Sequence, residues 1–269
     1  MIRYHDPGRR RVVCSVLSAI AIIAAVPGAA LAAVPVGDGF IFQKTSLPTL
    51  ADSRRYVLQG KRLGTGRCHY DYPEVRLPDS AAVWEVRDVA LDPTDCRKLV
   101  EEGVPPESDQ ALQPGDGRIA GAIPDAASSP TTVTASAAAS TASGYNWTWW
   151  EDVIGIKVNQ DRTNISWSFS GGCNGAGSTS GEWYWAYGTG WEIVSYSGSE
   201  YESCSYYRGT TVSHFRNAAF CWPLPTVHTY YYYVSAYGFA DGSVAGTRST
   251  DSVDECAPLW MHYQVRKVT

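Results

Sequence analysis

The chain has 269 residues, of which 44% are hydrophobic and 18% charged, and a net charge of −5. That apolar content excludes wholesale disorder, and the 25 glycines follow no collagen-like period. The acidic balance argues against nucleic-acid or anionic-membrane partners, since both need clustered Lys and Arg.

Residues 1–32 have the pattern of an export signal. Arg9, Arg10 and Arg11 form a basic head, and Val12 to Val26 carries no charge. Pro27-Gly28 then breaks the run, and Ala30-Leu31-Ala32 offers small residues for cleavage. A membrane-spanning helix needs about 20 uninterrupted apolar residues, so the mature chain is expected to be secreted and free of the membrane. The paired arginines ahead of Val12-Val13 also suit a twin-arginine route, which points to a bacterial source.

Setting Cys14 aside with the signal leaves Cys68, Cys96, Cys173, Cys204, Cys221 and Cys256. An even number in an exported chain implies disulfides rather than metal ligation, and there is neither a C-x-x-C nor a nearby His.

Residues 33–108 read as a small α+β module. Phe40 to Phe42 and Tyr56 to Leu58 suit short strands, and Ala82 to Leu91 suits a longer one. Asp92-Pro93 followed by Gly103 predicts a short helix, with Asp92 as cap, Pro93 in the first turn and Gly103 as the left-handed stop. Cys96 then falls in that helix, where a bond to Cys68 staples it. So small a core needs such a staple.

Residues 109–143 read as a flexible linker. From Ser128 to Ser143 the chain holds only Ser, Thr, Ala, one Pro and one Val, too little apolar surface to offset the entropy of ordering. This division pairs Cys68 with Cys96 and leaves three pairings open among Cys173, Cys204, Cys221 and Cys256.

Residues 144–269 read as an antiparallel β-sandwich of eight or nine strands, with a closed barrel as the alternative. Ile154, Ile156 and Val158 alternate with polar residues, as do Ile165, Trp167 and Phe169, which predicts a hairpin turning near Gln160 to Thr163. Trp183 to Trp185 and Trp191 to Val194 flank a turn at Gly188 to Gly190, and Asp241-Gly242 marks another hairpin. Thr210 to Phe220, Thr226 to Phe239 and Leu259 to Arg266 complete the set.

Catalytic signatures are missing. The string Gly177-Ser178-Thr179-Ser180-Gly181 has Thr where a nucleophile would sit, and no zinc, P-loop or calcium motif occurs. Nothing implies a cofactor or a metal. Glu182, Glu192, Glu200 and Glu202 are candidate carboxylates for glycoside hydrolysis, and His214, His228 and His262 are candidate acid–base partners.

Aromatic density is the stronger signal. Residues 144–269 hold nine Trp, thirteen Tyr and four Phe, more large rings than one sandwich interior of that length accommodates. In the run Tyr230-Tyr231-Tyr232-Tyr233, strict alternation sends two rings away from the core. Trp147, Trp150, Trp183, Trp185, Tyr231 and Tyr233 are the candidate ligand-binding rings. The expected function is non-catalytic binding of a carbohydrate or cell-wall polymer outside the cell. The alternatives are a secreted hydrolase using a carboxylate or His–carboxylate pair, and a protein-binding inhibitor or effector.

Overall fold

The computed structural model describes residues 40–44, 47–64, 66–77, 82–106, 117–122, 139–152, 155–218, 226–252 and 259–268. The signal segment lies outside them, as do Cys221 and Cys256.

Strands in chain order are β1 (Phe42–Gln43), β2 (Ala51–Gln59), β3 (Lys61–Arg62), β4 (Cys68–Arg76), β5 (Val83–Asp92) and β6 (Arg97–Val104). Then come β7 (Gly117–Ala122), β8 (Ser140–Glu151), β9 (Lys157–Ser170), β10 (Cys173–Trp185) and β11 (Trp191–Glu202). The series ends with β12 (Tyr206–Asn217), β13 (Val227–Phe239), β14 (Val244–Ser252) and β15 (Trp260–Val268). One nine-stranded sheet runs β2-β6-β5-β15-β8-β9-β10-β7, with β1 also on β5; a six-stranded sheet runs β11-β12-β13-β14-β4-β3. Every pairing is antiparallel.

The two sheets face each other across a shared core. Val86 and Val100 from the early strands pack in one cluster with Trp150, Ile165, Trp167, Phe215, Tyr231, Val234 and Tyr263 from the later ones. In the last strand Met261, Tyr263 and Val265 turn into this core, and Trp260, His262 and Gln264 on the other face are buried as well. Gly238 is needed for close approach: a Cβ there would lie 2.3 Å from the Trp167 ring.

Four sequence expectations are corrected. No helix exists among the described residues, so the α part of the first module is not present there. Asp92 does cap backbone amides, its Oδ1 accepting from the N–H groups of Thr94 and Asp95, but the turn it stabilises closes the β5–β6 hairpin. Cys96 sits in that turn at φ 51°, bonded to Cys68 as expected. A helix of this length is marginal by itself, while pairing of β6 with β2 and β5 satisfies its amides on both sides.

Second, the described parts of 33–108 and 144–269 share both sheets: β4 pairs with β14, and β5 pairs with β15. Third, of the linker expected over 109–143, residues Gly117–Ala122 form β7 on the edge of β10 and β8 already begins at Ser140, while 109–116 and 123–138 lie outside the described residues. Fourth, the stretch around Gln160 to Thr163 is the middle of the continuous β9, which pairs with β8 and β10 throughout. Among the four later cysteines, Cys173 bonds to Cys204.

The interior also contains ions. Lys98 and Asp88 are both fully buried and meet at 2.6 Å. Asp88 further accepts from the Met261 N–H at 3.1 Å and the Tyr72 hydroxyl at 3.3 Å, while the Lys98 ammonium lies 4.4 Å from the Tyr70 ring and 4.6 Å from the Trp150 ring. Near the other end, fully buried Asp161 accepts from Thr211 and from Ser213 at 2.5 Å, and burial pushes its carboxyl up to about 7. Asp88→Asn strands the Lys98 charge and is expected to cost about 3–5 kcal/mol in urea unfolding. The double variant Asp88→Asn/Lys98→Met is expected to regain more than half of that loss.

Candidate functional site

β13 runs through the middle of the six-stranded sheet, and its outer face carries a continuous row of rings, of which Tyr232 and Tyr233 are exposed. Residues Val227, Thr229 and Tyr231 face the core, and so do Val234 and Ala236. These two series are out of phase by one residue. The phase changes at Tyr232, which has no partner in the register with β14: Tyr231 opposes Thr250, and Tyr233 opposes Ser249. A bulge of this kind inserts one extra residue on one strand. Tyr232 and Tyr233 therefore both point outward, 38% and 39% exposed, so three of the four tyrosines leave the core where strict alternation predicts two.

From His228 to Phe239 the outer series is His228, Tyr230, Tyr232, Tyr233, Ser235, Tyr237 and Phe239, a strip on the order of 35 Å long at about 3.3 Å per residue. The Tyr230 ring stacks on His214 at 4.1 Å and runs nearly parallel to Tyr232 at 6.0 Å, with the Arg67 guanidinium 4.4 Å from its centroid. At the other end, Tyr237 meets Tyr206 edge-on at 5.6 Å, and Tyr206 meets Tyr201 at 5.6 Å. Charges on this face are neutralised locally, as in Arg76–Asp241 at 2.9 Å and in the Arg216–Glu192 pair.

Beside the bulge is a constellation that sequence reasoning missed. Cross-strand register puts His69 of β4 opposite Asp251 of β14, and Asp71 opposite Ser249. His69 Nδ1 lies 2.5 Å from Asp251 Oδ1, and its Nε2 lies 3.1 Å from Ser249 Oγ. Asp251 is buried and also accepts from the Tyr232 hydroxyl at 2.7 Å. Burial, with that bond to Asp251 behind it, pushes the Tyr232 phenol up to about 12. Ser249 is itself buried, and Asp71 competes for His69 Nε2 at 3.4 Å. The three side chains reproduce the order of a Ser–His–Asp relay.

The sequence-derived candidates divide. Trp147, Trp150, Trp183 and Tyr231 are buried and present no ring to a ligand. Trp147 stacks on Trp149 beneath the Lys157 ammonium, in a cluster apart from the main core. Trp150 lies under Lys98, and Trp183 is covered by Tyr196 at 4.6 Å. Tyr231 points inward and donates to Asn159 Oδ1 at 2.6 Å. Trp185 is half-buried, and Tyr233 alone of the six is well exposed. Every described tryptophan after residue 144 other than Trp185 is buried, so the exposed surplus consists of tyrosines.

The histidines divide too. His262 is buried, 3.3 Å from Glu151 and 3.6 Å from Glu85; burial opposes its charge, but Glu151 and Glu85 together outweigh that and the imidazole is held above its ordinary value. His214 and His228 meet each other at 2.8 Å instead of a carboxylate. Glu182 accepts from Asn164 at 3.3 Å and Glu200 from the Tyr207 hydroxyl at 2.5 Å, so these acids have structural partners. Among the described residues no three His, Cys, Asp or Glu side chains are placed to hold a metal ion, and no helix is long and apolar enough to cross a membrane. Comparison with protein-family models, curated proteins and solved structures finds no match.

Burial, then the neighbouring His228 and the Arg67 and Arg216 guanidiniums, hold His214 down to about 4. A histidine depressed in the folded state contributes stability that is present above its unfolded value near 6.5 and lost as pH falls toward 4. The urea midpoint is expected to drop over that window, and His214→Phe, which keeps a ring against Tyr230, is expected to flatten part of the drop. The His214 ring signals in an NMR titration are expected to stay in the neutral position above about pH 5.

Proposed function

We propose that this is a secreted, non-catalytic protein that binds a carbohydrate or cell-wall polymer along the outer face of the six-stranded sheet. The observation that carries this reading is the strip along β13, where the Tyr232 bulge adds a ring to the exposed side. Its length matches an extended chain rather than a single small ligand. Rings of this type pack against the apolar faces of sugars, and exposed serines of β11, beyond β12 on the same sheet, extend the surface with hydroxyls. Local neutralisation of charge on this face favours an uncharged polymer. Two disulfides are consistent with an extracellular site of action, and the arginine-rich start of the chain supports export by a bacterium.

Retention on insoluble polysaccharides tests the proposal. The mature protein is expected to be retained, and Tyr232→Ala or Tyr233→Ala to weaken retention by about three- to tenfold. Trp183→Phe, inside the core, is expected to leave it unchanged. Absence of retention on every polymer tried removes the carbohydrate reading.

A second reading rests on the Ser249–His69–Asp251 geometry: hydrolysis of an ester, with Ser249 Oγ as nucleophile, His69 Nε2 accepting its proton and Asp251 orienting the imidazole. A fluorophosphonate probe distinguishes the two. Binding alone predicts no labelling, whereas the hydrolase predicts labelling at Ser249 that His69→Ala abolishes.

A further inference from the structure

The interior holds a positive charge that the protein does not balance. Arg248 of β14 is fully buried, with its guanidinium carbon 2.9 Å from the Tyr263 ring centroid and 4.1 Å from that of Tyr72. None of its Nε, Nη1 and Nη2 atoms has a hydrogen-bond partner in the protein. The buried hydroxyls of Tyr56 and Tyr263 have none either.

The carboxylates nearby are already committed. Asp88 is paired with Lys98 at 2.6 Å, and Glu102 with Arg54. An arginine cannot shed its proton to escape burial, and ring faces attract the cation without accepting its N–H bonds. An oxyanion would both balance this buried guanidinium and accept its hydrogen bonds.

An entrance lies one layer outward. A cleft of about 290 Å³ is lined by Asp52, Arg54, Glu74, Val75, Arg76, Trp84 and Glu102, where β2, β6 and β5 of one sheet approach β4 of the other. Along β2, Tyr56 is two residues beyond the cleft residue Arg54 and so lies on the same face; along β5, Val86 is two beyond Trp84 and opposes Tyr263. On β4 a bulge separates Tyr72, opposite Arg248, from the cleft residue Val75, and both turn inward across it. The unpartnered donors thus sit about one side-chain layer behind the cleft.

We propose that Arg248, Tyr56 and Tyr263 form an interior site for a single oxyanion, a carboxylate or phosphate group, entering through this cleft. Two guanidinium N–H groups bind the oxyanion side by side, and the phenols donate to its remaining lone pairs. The site lies inside the sandwich, apart from the β13 strip, and stands independently of the polymer-binding proposal.

Thermal unfolding of the full chain in sodium acetate and in inorganic phosphate, each at matched ionic strength, tests this. The expected result is a saturable rise in Tm with one or both anions, absent in Arg248→Met. Saturation with acetate alone assigns a carboxylate, and with phosphate alone a phosphate group. Tyr56→Phe, which keeps the ring, is expected to weaken the apparent affinity about fivefold, and it serves as the test where Arg248→Met fails to fold. Tyr232→Ala, on the outer strip, is expected to respond as the unaltered protein does. Only a non-saturating salt effect, an equal response in Arg248→Met, or unchanged affinity in Tyr56→Phe overturns the proposal.

Discussion

Both sheets depend on the last strands of the chain being inserted between earlier ones. β15 lies between β5 and β8, and β14 lies between β13 and β4. On one side, the ladder partners of β5 and β4 are thus more than 150 residues away in sequence. Contacts this distant in sequence are costly to close and slow to form. The Met261 N–H that reaches Asp88 and the Asp251 that holds His69 are both products of this insertion.

Buried charge reinforces that arrangement. Lys98 lies on the inward face of β6, and a slip of one residue in the β5–β6 register would carry it to the opposite face and separate it from Asp88. Its partner also holds the backbone of β15, so one carboxylate links the hairpin to the inserted strand. Apolar packing alone would tolerate neighbouring registers better, because Val86 and Val100 make no directional demand.

Much of the β architecture was legible as alternation: Ile165, Trp167 and Phe169 in β9, and Met261, Tyr263 and Val265 in β15, follow a period of two. The Asp241-Gly242 turn was legible because Gly242 adopts φ 77°. The false helix after Asp92 shows the limit of local signals, since a capping aspartate serves a hairpin turn equally well. Which strands pair is a non-local fact, and it made one interleaved pair of sheets from what composition divides in two. The site was half legible. The tyrosine run announced exposed rings, but the bulge that selects Tyr232 over Tyr231 has no signature in a row of identical residues, and His69 meets Ser249 and Asp251 only through the β4–β14 pairing.

The bulge also makes Tyr232 a residue the fold can lose. Both neighbouring strands are in register on either side of it, with β13 longer by one residue over that interval. Loss of that single codon would leave Tyr230 and Tyr233 outside and Tyr231 and Val234 inside. Evolution can therefore lengthen or shorten the aromatic track by one ring at this point while the hydrophobic interior stays as it is.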